Sequence, residues 1–346
     1  MIDLNNKKLL IVRLDNIGDL VCTTPLIEAI KKSYPNVILD VLVNTYNEQV
    51  LKNNPYIRKT ISYEKAKHSH KNKLQVYLTK LKFFLKIRQG RYDYAIIAGC
   101  IFKKKEVNYA KVGGVKQIIG YYQTDLEKKK LDIAIYYGDK VHAFHEVEKM
   151  YELGLKTFNL PKQLPKLSLF PDQALAYHYK NKYQITDSDK PIGIHISSRT
   201  PEHRWPVESF ILLIKELAQT TKAPLLMFWS PGSENELAHP GDDEKADVIK
   251  KAISKENNIK FHPIRTTNLT ELIAGISICK EFFTSEGGTA HIAAALVERM
   301  VVIFGKTGAF GWYPWKVTHK VLQKPSALAC DVSVSEVLES LDELRG

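Results

Sequence analysis

Four groups of residues have the types and spacing to do chemistry. The first is Gly18-Asp19, which follows a short apolar run and a polar turn and opens a helical pattern. A carboxylate at such a place can take a proton from a hydroxyl, a service worth ~10²–10⁴-fold. Asp is also favoured there as a helix cap, and Gly18 suits a tight turn, so the pair alone leaves both readings open. The second group is Ser197-Ser198-Arg199 with His203-Arg204-Trp205-Pro206. Two hydroxyls, two guanidinium forks and an imidazole on one loop suit phosphate oxygens, and equally suit a solvated basic loop beside a packed Trp. The third is Glu286-Gly287-Gly288-Thr289 with His291, where adjacent glycines expose backbone N–H groups at a helix start, a natural anion site. On a helix reading HIAAAL, His291 is expected to be buried and supporting. The fourth is the stretch 58–91, with eleven Lys or Arg and one acid, Glu64.

These groups need elements to hold them. Short apolar runs bounded by turns and alternating with helical segments predict βα units around buried parallel sheets. Lys8–Leu14 and Pro191–Ile196 open two such series. The helix after the first is expected to run unbroken to Tyr34. Within 73–88, Leu74, Leu78, Leu81 and Leu85 share one helical face, expected to pack on a sheet with the basic face outward. Between about 158 and 190, three prolines (Pro161, Pro165 and Pro171) and a polar cluster predict a linker. Asp187-Ser188-Asp189 has the form of a metal-binding DxD but reads as a turn. Ser333 and Glu336 form a capping box for a last helix. The domains expected are therefore 1–170, 185–330 and a closing helix in 331–346, with a ligand cleft between two βα lobes.

Composition narrows the classes. The chain has 346 residues, 44% hydrophobic and 25% charged, which excludes a disordered chain, a collagen-like fibre and a small disulfide scaffold. Fifty Lys and Arg against 38 Asp and Glu give a net charge of +12 and favour an anionic partner. The four cysteines form no CxxC pair and sit in or near apolar runs, as expected in a reducing compartment. No signal peptide or membrane-length apolar run is read, so a cytoplasmic protein is expected, one that meets a membrane only from its surface. There is no GxxxxGK[ST], no GxGxxG after the first strand, and no HExxH or Cys/His zinc spacing.

Taken in order, IVRLDNIGDLVCTTPLIEAIKKSYP, HRWP, TSEGGTAHIAAAL and VVIFGKTGAFGWYP resemble the bacterial lipopolysaccharide heptosyltransferases, glycosyltransferase family 9. The likeness runs over nearly the whole chain. It implies an α/β fold of the GT-B kind, two Rossmann-like parallel-sheet domains facing a central cleft. Acceptor would lie mainly on the first and nucleotide-sugar on the second, with a final helix crossing back to the first. It also implies inverting transfer from ADP-heptose, with no cofactor and no essential metal. The family's Gly-Asp base maps onto Asp19. Its Lys-Arg-Trp-Pro diphosphate loop maps onto His203, Arg204, Trp205 and Pro206. Its Asp-[Ser/Thr]-Gly-x-x-His segment maps onto Glu286, Gly287, Gly288 and His291.

Here His203 replaces the usual Lys, Glu286 the usual Asp and Gly287 the usual Ser or Thr, so the donor sugar is the least determined part. The donor diphosphate is then assigned to Ser197, Ser198, Arg199, His203, Arg204, Gly287, Gly288 and Thr289, and the sugar to Glu286 and His291. A phosphorylated glycolipid acceptor at an anionic inner-membrane surface is assigned to Arg13, Gly18, Lys65, Lys67, Lys71 and Lys73. Three rival readings stand beside this one: another nucleotide-sugar transferase, a nucleic-acid-binding module suggested by charge alone, and a paired-Rossmann dehydrogenase. The spread of the charge and the missing glycine fingerprint disfavour the last two, and no nucleic-acid partner is expected.

Overall fold

The computed structural model describes residues 1–63, 73–138, 143–186, 188–236, 240–256 and 259–346, with the side chains of 73 and 74 outside the description. Lys65, Lys67, Lys71 and the Asp187 of the DxD therefore lie outside the described residues, as does the side chain of Lys73. The chain divides into two compact units, Met1–Phe170 and Pro171–Gly346.

In the first unit six strands pair in parallel: β1 (Lys8–Val12), β2 (Ile38–Asn44), β3 (Lys59–Tyr63), β4 (Tyr94–Ile97), β5 (Gln117–Tyr122) and β6 (Ile133–Tyr136). Their order is β3-β2-β1-β4-β5-β6. The second unit repeats this with β7 (Ile192–His195), β8 (Leu225–Trp229), β9 (Phe261–Arg265), β10 (Glu281–Ser285), β11 (Arg299–Phe304) and β12 (Thr318–Gln323), ordered β12-β11-β10-β7-β8-β9. Renumbered from its own first strand, the second sheet has the order of the first. Each sheet reverses direction of winding beside its first strand, between β1 and β4 and between β7 and β10. In doubly wound sheets that switch point opens a crevice at the strands' C-terminal ends.

The central strands carry continuous apolar runs because helices cover both sheet faces. Leu9, Leu10 and Ile11 are fully buried, as are Ile194, Phe282 and Phe283. Around the second sheet, Trp205 meets Phe210 and Phe283 edge-on, and its indole N–H donates to the Val332 carbonyl at 2.8 Å.

Several elements depart from the sequence reading. The helix after β1 is broken into Ile17–Val21 and Thr24–Ser33. Pro25, the second residue of the next piece, has no N–H to continue the first and suits the first turn of a new helix. The 158–190 linker contains a helix, Gln173–Lys182, capped by Asp172 and anchored by buried Ala176 and Tyr179. It belongs to the second unit. The closing helix, expected to cross to the first domain, is also counted in the second unit, where Val337 and Leu341 enter the core. Arg345 there forms a fork on Glu281, with Nη2 2.7 Å from Oε2. The leucine face of Lys73–Gly90 is not its packing face: Phe83 and Ile87 are buried, whereas Leu78, Leu81 and Leu85 are exposed.

Candidate functional site

In the first unit the site is the turn that leaves β1. Asn44, at the end of β2, pins it by donating its amide to the Leu14 and Asp15 carbonyls, both at 2.8 Å. Asn47 donates to the Asp15 carbonyl at 3.2 Å. The turn then enters the five-residue helix Ile17–Val21. Asp19 stands in its first turn, and its Oδ2 accepts from the Asn16 N–H at 3.0 Å, so the capping reading is realised. Its Oδ1 accepts from Arg13 Nη2 at 2.7 Å. The side chain is 15% exposed, and a carboxylate so held keeps lone pairs for a proton from outside.

Arg13 was expected to hold acceptor. It is buried instead, and its guanidinium is engaged by the protein. Besides Asp19 it contacts Glu146 Oε1 at 2.8 Å, Asp15 Oδ2 at 3.4 Å and the Ala98 carbonyl just past β4. Burial opposes the charge, but the three carboxylates outweigh it and hold the Arg13 pKa above its ordinary value. Two more cations border the cluster. Lys149 Nζ lies 3.5 Å from Glu146 Oε2, and Lys103 Nζ 3.0 Å from Asp15 Oδ1. Gly18 is a buried helical residue without positive φ, so the turn does not require glycine for backbone reasons.

Glu146 and Lys149 were missed by sequence reasoning. They open the helix Glu146–Thr157, whose N-cap His145 accepts from the Val147 N–H at 3.2 Å. The signal available was a capping box carrying an acid and a base three residues apart.

In the second unit the site is again the turn after the first strand, facing the turn after β10. Ser197 is buried, and its Oγ accepts from the Ser230 N–H at 2.8 Å, which fixes the start of the loop. Ser198 is half-buried, and Arg199 and Arg204 are exposed. Arg204 Nε donates to the Ser198 carbonyl at 3.1 Å, closing the loop on itself. Among the described residues no carboxylate pairs with Arg204.

Lys245, also missed, lies under this loop. Its Nζ donates to the Ile196 carbonyl at 2.8 Å and the Trp205 carbonyl at 3.2 Å, joining the loop's two ends. It sits 4.7 Å from the centre of the Phe210 ring. Burial pushes its pKa down to about 8, and nearby Arg204 adds to that while Asp242 opposes it.

His203 and Glu286 are brought together. His203 Nδ1 lies 2.6 Å from Glu286 Oε2, and its Nε2 is 3.3 Å from the Thr307 hydroxyl. Both ring nitrogens thus face protein partners, although the imidazole was expected on a diphosphate. Burial raises the Glu286 carboxyl pKa, and His203 and Thr307 pull against that rise. A Cβ at Gly305 would collide with the Glu202 carbonyl and the His203 ring, so the turn after β11 also shapes this pair. Two of the positions that depart from the family pattern, His203 and Glu286, thus form one hydrogen-bonded unit.

Gly287 has φ 151°, a conformation glycine tolerates, with open space where a Cβ would be. It caps the helix Gly288–Leu296, whose first-turn amides, from Gly288 and Thr289, lack intrahelical acceptors by position. His291 is buried, as expected, with its ring 5.6 Å from that of Trp312 and its pKa pushed down by burial to about 4. Among the described residues no group of three or more His, Cys, Asp or Glu is placed to hold a metal ion.

The two turns differ in what they offer. The first presents a braced carboxylate, suited to accepting a proton. The second presents arginine and backbone amides, suited to an anion. Comparison with known proteins gives the family. Residues 81–339 match the model of glycosyltransferase family 9 (heptosyltransferase). The chain is 24% identical over 316 residues to lipopolysaccharide heptosyltransferase 1 of Campylobacter coli, covering 88% of this chain and 85% of that one. It is 22% identical to lipopolysaccharide heptosyltransferase 3 of Escherichia coli K12, covering 88% and 84%. The crystal structure of a family 9 glycosyltransferase from Veillonella parvula superposes with a TM-score of 0.78 at 18% identity, covering 99% and 98%. That of E. coli ADP-heptose lipopolysaccharide heptosyltransferase II gives 0.77 at 21%, covering 97% and 98%. These structures share the GT-B fold with this protein. The chain belongs to glycosyltransferase family 9, the heptosyltransferases.

Proposed function

We propose that this enzyme transfers heptose from ADP-heptose, with inversion, onto a lipopolysaccharide or lipooligosaccharide core acceptor. An acceptor hydroxyl attacks the anomeric carbon on the face opposite the diphosphate. The new C–O bond forms, the bond to the diphosphate breaks, ADP leaves, and Asp19 takes the hydroxyl proton. Negative charge developing on ADP is met by Arg204, Arg199, Ser198 and the amides of Gly288 and Thr289. Removing one preorganised donor of this kind costs ~2.7–4 kcal/mol of transition-state stabilisation. These groups supply the charge a metal would otherwise bring, so the reaction runs without metal or cofactor. The enzyme works from the cytoplasmic side, peripherally at the anionic inner-membrane surface where a phosphorylated acceptor resides. No nucleic acid takes part.

The observation that carries this reading is Asp19, held by Arg13 and still reachable, at the switch point of a family 9 chain. Further support comes from the E. coli heptosyltransferase solved with ADP, which has the same fold at a TM-score of 0.75. The test is purified enzyme with ADP-heptose and a heptose-deficient core glycolipid, in the presence of EDTA. ADP release with a heptose mass increment in the glycolipid is expected. No transfer, or transfer only when a divalent metal is restored, contradicts it.

A second donor has one observation in its favour: the Glu286–His203 pair stands where the family has Asp and Lys. A panel of ADP-, GDP- and UDP-sugars separates the two. Preference for a non-heptose sugar would keep the chemistry and replace the donor.

A further inference from the structure

The helix Lys73–Gly90 is apolar on two opposite sides. One side, with Phe83 and Ile87, is buried in the core of the first unit, where the Phe83 ring meets Tyr63 and Tyr109 edge-on at 5.3 Å. The other side carries Tyr77, Leu81 and Leu85 at i, i+4 and i+8, with Leu78 beside them. Their exposures are 64%, 44%, 46% and 44% respectively. Four large apolar side chains in one stripe on an 18-residue helix are not scattered surface residues. The charges on the helix have one sign only. Lys73, Lys80, Lys82, Lys86 and Arg88 are its ionisable side chains apart from Tyr77, with no Asp or Glu. Lys80, Lys82, Lys86 and Arg88 are exposed, and among the described residues none of these four pairs with a carboxylate.

We infer that this stripe is the seat of the enzyme on an anionic bilayer. The inference rests on the peripheral reading given above and names the surface responsible. Leucine and tyrosine would enter the headgroup–acyl boundary, and the flanking cations would remain at lipid phosphates, the arrangement of an interfacial helix. Each such cation near an anionic surface adds to the attraction, and the attraction weakens as salt rises. A second copy of this chain fits the stripe poorly, because a two-fold contact would set the four exposed cations against four. A nucleic acid would satisfy the cations and leave the leucines in water.

The experiment uses the full-length protein and co-sedimentation with vesicles of phosphatidylcholine alone or with phosphatidylglycerol. Wild type is expected on the anionic vesicles only. Leu78→Gln/Leu81→Gln/Leu85→Gln, all at exposed positions, should partition more than tenfold less while turning over a soluble short acceptor normally. Lys80→Gln/Lys86→Gln should bind less and lose about half of its salt dependence, since Lys82 and Arg88 remain. Should the triple variant misfold, Leu81→Trp serves instead, and its added emission should shift to the blue on anionic vesicles. Equal vesicle binding by wild type and triple variant overturns the inference and leaves the peripheral reading intact. Absence of wild-type binding to either vesicle overturns both. A wild-type dimer that the triple variant abolishes, without vesicle binding, assigns the stripe to a second copy and overturns the inference.

Discussion

The turns after β1 and after β7 occupy the same place in two sheets of the same topology, yet they handle charge in opposite ways. After β1, three cations (Arg13, Lys103, Lys149) face three carboxylates (Asp15, Asp19, Glu146), and the cluster, buried at Arg13, Glu146 and Lys149, is balanced. After β7, Lys245 and Arg204 are held by carbonyl oxygens, which orient a cation without cancelling its charge. A balanced cluster fixes the direction of Asp19 and needs no outside ion. An uncancelled one remains attractive to an anion. One fold thus yields a carboxylate braced by cations at one turn and cations left uncancelled at the other, which is the division of labour the proposed function draws on.

The largest effect should come from unbalancing the first turn. Arg13→Met leaves Glu146 and Asp19 without their shared cation, and breaking a buried pair this way costs about 3–5 kcal/mol. Urea denaturation should show that loss, and adding Glu146→Met should restore part of it. Additive losses would mean the cluster is not one unit.

Next comes acid. Burial holds His195 and His291 of the second unit at about 4, below the ordinary histidine value. As pH falls from about 6.5 to 4, the unfolded chain takes up protons that these two rings refuse. Stability present above about 6.5 is therefore lost, by about 3 kcal/mol for each ring. Glu286, whose pKa is raised, works in the opposite direction. Thermal melts of wild type and His291→Gln at pH 7 and 4.5 should show a smaller acid loss in the variant. An equal loss would remove His291 from the account.

Smaller is the effect of Arg204→Ala, which should weaken ADP binding roughly tenfold, or about 1.4 kcal/mol, with the fold intact. Calorimetric titration reads it, and unchanged affinity would move the anion site off this loop.

The smallest effect on ADP binding concerns Lys245. Raising pH through about 8 neutralises it in the fold, whereas in the unfolded chain it stays charged until near 10.5. Its burial cost is relieved, so stability rises over that window while ADP affinity falls a few-fold. In Lys245→Met both trends should flatten. A pH-independent affinity in wild type would show that this ammonium does not contribute to the anion site.

The sequence was most informative where one residue type has one physical use. The buried runs of β1 and β7, the helix-opening Asp19 and the Gly287-Gly288 turn all read correctly from local pattern. The partner of Arg13 did not, because Glu146 lies 133 residues away and only the sheet brings them together. The leucines of Lys73–Gly90 show a different difficulty. Periodicity identifies an apolar face but not what lies opposite it, and the sheet took the Phe83–Ile87 side. Pro25 marks the break between Ile17–Val21 and Thr24–Ser33, but apolar spacing that continues on either side reads as one helix.

The division of labour between the two turns is tested most directly by Asp19→Asn, titrated with ADP and assayed for transfer on the same preparation. The account predicts wild-type ADP affinity with turnover reduced at least a hundredfold. Turnover close to wild type, or ADP affinity lost together with turnover, would contradict it.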